Sequence, residues 1–109
     1  MITVVYWPGR LYLQMDGHAM EAERGQDIVC AAASMLAGTL AENLLQADGQ
    51  GILRKTPDIY LADGCARIHA EPKRAYRKSV RMIFDALAIG LELLARQHPQ
   101  RVAFRVGGD

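Results

Sequence analysis

The 109-residue sequence predicts an α+β fold of two layers, a mostly antiparallel sheet carrying two long helices in the order ββ-α-ββ-α-β. Three observations support this. Short runs rich in β-branched and aromatic residues, at 2–7, 59–68 and 102–106, are bounded by glycine, proline and aspartate. Two stretches of helix formers, from Asp27 to about Gln46 and from Pro72 to His98, are long enough for several turns each. The sequence has no repeat and no low-complexity segment, so residues 1–109 are expected to form one domain.

Ile2 to Trp7 reads as the first strand, and Pro8-Gly9-Arg10 signals a turn. Leu11, Leu13 and Met15 then alternate with Tyr12, Gln14 and Asp16, which makes a second strand and a hairpin. The polar stretch after Gly17-His18-Ala19, through Gly25, has neither period and is expected to be a loop. Asp27 is a good N-cap directly before an apolar run, so the first helix is expected to begin there. On a helical wheel Ile28, Ala32, Met35, Leu36 and Thr39 gather on one side, taken as the apolar stripe, with Asp27, Cys30, Ser34 and Gly38 on the other. After a polar connection at 47–57, Ile59 to Ala62 and Cys65 to Ile68 flank Asp63-Gly64, the pair typical of a type I′ hairpin. Pro72 suits the first turn of the second helix. In that helix Tyr76, Val80, Ile83, Phe84, Leu87, Leu91 and Leu94 form one face. Val102 to Val106 is the last strand.

Composition excludes several classes. Half the residues are hydrophobic and 23% are charged, so disorder and collagen-like structure drop out. A net charge of +1 is too small for a nucleic-acid binder held by bulk charge. Two cysteines, Cys30 and Cys65, are too few for a disulfide framework and are spaced unlike a zinc or redox motif, so no metal or other cofactor is expected. No secretory signal is recognisable. The longest nearly uncharged stretch, 28–41, is short for a bilayer span. A cytoplasmic setting with both thiols reduced is the expectation.

With Asp27 as N-cap, Cys30 occupies the third helical position. There the unpaired N–H groups and the positive end of the helix dipole favour a thiolate. This environment makes a cysteine nucleophilic, although cysteine also packs commonly as a small hydrophobe. His18, at a strand end after Gly17, can approach a helix start, and a Cys–His pair needs only hydrogen-bond reach. Taken alone, His18 also reads as an ordinary loop histidine. Cys65, His69 and His98 have no partner at motif spacing and read as structural.

Gly17-His18-Ala19, then Gly25, then Asp27-Ile28-Val29-Cys30-Ala31-Ala32-Ala33-Ser34 resemble the paired GHA and G-x-D-[IV]-[VC]-C-A-A-x-S signatures of the ribosomal-processing cysteine protease family, Prp. The specific motifs cover residues 17–34, and the length and element order agree over nearly the whole chain. The resemblance implies a homodimeric Cys/His endopeptidase that removes a short N-terminal extension from ribosomal protein bL27. It implies Cys30 as nucleophile and His18 as general base, with Asp27, Ser34, Gly17 and Ala19 at further motif positions in supporting or substrate-binding roles. Ala33 where the family often has valine, and Met20-Glu21 after the GHA motif, depart from the pattern in shape rather than chemistry. Residues 20–25 would be the natural lid over the site. Two other readings stand beside this one. One is a non-catalytic ribosome- or RNA-associated module with Cys30 merely packed. The other is the same peptidase chemistry applied to a phage capsid or scaffold protein.

Charge is unevenly distributed. Residues 1–51 carry net −4 and residues 52–109 net +5. The acidic part would steer a cationic substrate toward Cys30. Arg74, Arg77, Lys78 and Arg81 share the polar face of the second helix, which is either solvated or a contact for a ribosomal particle. A second helix of about 25 residues would be long for so small a chain, which favours a partner copy.

Overall fold

The structure, a computed structural model, describes residues 1–18 and 27–108. Ala19, the expected lid 20–25 and the motif glycine Gly25 lie outside the described residues. The elements follow the expected order: β1 (Ile2–Trp7), β2 (Tyr12–Asp16), α1 (Ile28–Gly49), β3 (Asp58–Ala62), β4 (Cys65–His69), α2 (Arg77–Gln97) and β5 (Val102–Val106). The strands form one sheet in the order β3-β4-β2-β1-β5. Every pairing is antiparallel except β1 with β5, which run parallel because α2 carries the chain back across the sheet.

Alternation along the strands sorts the two faces. Ile2, Val4 and Tyr6 of β1, Leu13 and Met15 of β2, Ala66 and Ile68 of β4 and Val102 of β5 are buried in the common core with both helices. Leu11 reaches that core through a left-handed backbone (φ 52°) that ends the short 3₁₀ turn Pro8–Arg10.

The first helix corrects the wheel. Its buried residues are Val29, Ala33, Ala37, Leu40, Ala41, Leu44 and Ala47, whereas Ile28 and Met35 of the expected stripe are 82% and 71% exposed. The physical reason is that α1 is apolar nearly all round, so hydrophobicity alone selects no face. Close packing chooses instead the side where alanines let the sheet and α2 approach. Cys30 consequently sits at the flank of the buried face, half-buried against the core, rather than opposite it. At 22 residues α1 is also long and apolar enough to cross a membrane by length and composition, beyond the shorter stretch read from sequence; it is here a helix with one face in the core.

Two further expectations change. Pro72 does not open α2. It bridges Leu53 on the way in, and a 3₁₀ turn, Arg74–Tyr76, precedes the helix. α2 is then 21 residues, roughly 31 Å at 1.5 Å per residue. The molecule is 43 Å in its longest dimension, so helix length no longer argues for a partner. Of the expected α2 face, Val80, Phe84, Leu91 and Leu94 are buried, and Ala88 joins them; Tyr76 is exposed.

Candidate active site

The two expected catalytic residues lie just past the end of β2 and at the start of α1. Asp27 has extended backbone angles and its Oδ1 accepts the Cys30 N–H at 3.0 Å, while its carbonyl accepts the N–H of Ala31. This satisfies one of the orphan donors of the first turn and fixes Cys30 as the third helical residue, as its position in sequence predicts. Replacing Asp27 with alanine is expected to destabilise the protein by about 1 kcal/mol in thermal unfolding, the usual worth of such a cap.

Strand pairing places the histidine. Asp16 opposes Cys65 across β2 and β4, and one residue on, the Gly17 N–H donates to the Gly64 carbonyl at 2.9 Å. Gly17 has φ +102°, and a Cβ there would collide with the Met1 carbonyl oxygen, so both conformation and space require glycine before His18. The His18 carbonyl accepts from the Met1 ammonium. Its ring turns to the β3–β4 turn, where Nδ1 lies 4.0 Å from Asp63 Oδ1, both side chains about half exposed.

That turn is not type I′. Gly64 has φ +74°, but Leu11 is the only non-glycine with positive φ among the described residues, so Asp63 lacks the positive φ that type I′ demands. One positive φ at the second central position is the type II signature.

A cavity of about 370 Å³ lies between α1, β2, β4 and the end of β3. Met15 of β2, Ala37 of α1 and Ala66 of β4 give it an apolar floor. Ser34, one turn beyond Cys30, and Asp63, the neighbour of His18, stand at its polar side, and Cys65 also lines it. The elements that carry the two expected catalytic side chains therefore flank one cleft, while Cys30 and His18 themselves are not among its described lining residues. Cys65, Asp63 and Gly64 are not legible here from the sequence. Their only signal was the Asp-Gly turn pair, which says nothing of what the turn approaches. The two other histidines, expected to be structural, have polar partners: His69 Nδ1 meets Asp58 Oδ2 at 3.1 Å and lowers the Asp58 pKa, with help from Lys55, and His98 pairs with Arg101. Among the described residues no three His, Cys, Asp or Glu side chains are grouped to hold a metal ion.

A capped helix-start thiol beside a cleft in an α+β fold is the arrangement of a cysteine peptidase. The chain belongs to the cysteine protease Prp family, whose family model matches residues 2–103. The ribosomal processing cysteine protease Prp of Staphylococcus aureus is 25% identical over 88 residues, 81% of this chain and 78% of its own. A crystal structure of the S. aureus ribosomal processing protease Prp with a covalently linked product peptide superposes with a TM-score of 0.72 at 26% identity, covering 98% of this chain and 100% of that one. A second S. aureus structure, with a substrate peptide, has the same fold, with a TM-score of 0.65 at 24% identity over 98% of this chain and 100% of that one.

Proposed function

We propose that this peptidase removes the N-terminal extension of ribosomal protein bL27 during ribosome assembly in the cytoplasm, with Cys30 as nucleophile and His18 as general base. The observation that carries the reading is the Asp27 cap, which holds Cys30 at the positive end of α1 one turn before Ser34 on the cleft. His18 takes the thiol proton, and Cys30 Sγ attacks the scissile carbonyl to form a tetrahedral oxyanion. The imidazolium returns the proton to the leaving amine as the C–N bond breaks. The thioester is then hydrolysed by a water that His18 deprotonates, releasing the acid product and the free thiol. Asp27 keeps the helix start rigid, and Ser34 contacts the peptide. The apolar floor of Met15, Ala37 and Ala66 suits an apolar side chain near the cut.

The active species in this reading is a homodimer. Both helices leave apolar side chains in solvent, among them Met35 of α1 and Met82 and Ile89 of α2, at 61–71% exposure. Arg74, Arg77, Lys78 and Arg81 line a groove of about 530 Å³ at the start of α2, suited to ribosomal phosphates. Arg77 also donates to the Gly9 carbonyl, and Arg81 to Asp85.

The test is incubation with peptides spanning the bL27 extension, with products read by mass spectrometry. Cleavage at one position by the parent and not by Cys30→Ala is expected, and cleavage by both or by neither overturns the reading. Iodoacetamide at pH 7 is expected to alkylate Cys30 at least about tenfold faster than Cys65, because only Cys30 sits at a helix N-terminus. Equal rates would place Cys30 among packed, unactivated thiols.

A further inference from the structure

We propose that the tip of the β3–β4 hairpin is part of the catalytic apparatus, with Asp63 the residue that orients the His18 ring and Gly64 the seat on which the ring rests. This rests on His18 being the general base. Three contacts converge on one short segment. The Gly17 N–H is tethered to the Gly64 carbonyl at 2.9 Å, which sets the His18 backbone against the turn. A Cβ at Gly64 would lie 2.6 Å from His18 Nε2, 3.1 Å from Cε1 and 3.3 Å from Cδ2, so the imidazole lies directly over the glycine. The Asp63 carboxylate approaches Nδ1 at 4.0 Å.

A general base works only when its nitrogen is aimed, and a carboxylate hydrogen-bonded to one ring nitrogen fixes the tautomer and turns the other toward the reacting groups. At 4.0 Å Asp63 acts on the ring by charge and reaches that bond through a side-chain rotation. Here the carboxylate comes from a hairpin 45 positions after the histidine in sequence, brought alongside by β2–β4 pairing. Among the described residues, the Met1 ammonium bonds the His18 backbone carbonyl, and Asp16 is held by Arg67 at 3.0 Å. Among the described residues Asp63 is the carboxylate facing the ring itself, and it also stands at the wall of the cleft lined by Ser34. A positioning residue there is coupled to substrate entry.

The experiment compares wild type, Asp63→Asn, Asp63→Glu and Gly64→Ala in steady-state cleavage of the bL27-extension peptide, together with the rate of Cys30 alkylation by iodoacetamide. Asp63→Asn is expected to lower kcat about fivefold to tenfold with KM within about twofold, a modest effect because the pair is half in water. Asp63→Glu recovers part of the loss. Gly64→Ala displaces the ring and is expected to lower kcat about a hundredfold, the scale of an ångström misplacement. A wild-type kcat in Asp63→Asn, or a loss confined to KM, overturns the proposal. If wild type cleaves no such peptide, the substrate reading fails instead. The alkylation arm then decides on its own: slower Cys30 alkylation in Asp63→Asn supports the orienting role, and an unchanged rate overturns it.

Discussion

Cys30→Ala is expected to reduce kcat/KM on the bL27-extension peptide by roughly 10⁴-fold or more, the loss that follows when a covalent nucleophile is removed from a peptidase. Without Sγ no thioester forms, and direct attack by water must proceed with no group aligned to the carbonyl. His18→Ala is expected to cost about 10²–10⁴-fold, the usual contribution of a positioned base. The double variant should be no worse than Cys30→Ala, since the two act in one step. Steady-state kinetics on the three variants check this. A Cys30→Ala enzyme within tenfold of wild type would remove the nucleophile assignment, and additive losses would show that the two residues act separately.

Phe84→Ala is expected to have the largest effect on stability, about 3–5 kcal/mol. Phe84 is fully buried at the centre of α2 and its ring lies parallel to that of Tyr6, with centroids 6.1 Å apart. Removing it empties the contact between α2 and the middle of the sheet, and the surrounding Val80, Ala88 and Leu91 cannot collapse into the space without moving the helix. The neighbouring Tyr6 shows how tightly that layer is built. Burial, together with its hydrogen bond to Asp85 at 2.6 Å, pushes the phenol pKa well above its ordinary value. Against a typical total of about 5–15 kcal/mol, the loss should lower the unfolding midpoint by more than ten degrees or leave the protein unfolded. Glu92→Ala, on the exposed side of the same helix, should shift it by little. A small Phe84→Ala effect would mean that the helix–sheet core is not what holds the fold.

Much of this was legible in the residues. Alternation in Leu11–Asp16 set the buried face of β2, because a strand has only two sides and the apolar residues fall on one. Asp27 marked the start of α1 because its cap is a local hydrogen bond made within three residues. The motif around His18 and Cys30 pointed to the family that the comparisons then showed.

Other features were not legible, each for a physical reason. The buried side of α1 is not legible because a helix rich in Ala and Leu has no wide polar face to exclude, and the choice falls to fit against the sheet. The start of α2 was placed too early because Pro72 is equally at home in a bridge to Leu53, a contact invisible to local spacing.

Element order, the helix-start environment of Cys30 and the family motif follow from local residues, because strand alternation, caps and turn residues act over a few neighbouring positions. Which side of α1 meets the core, the place of Cys65 in the cleft with Ser34, and the approach of Asp63 and Gly64 to His18 depend instead on long-range packing. Those juxtapositions arise from the register between β2 and β4, which brings together residues about fifty positions apart through hydrogen bonds that no local pattern encodes.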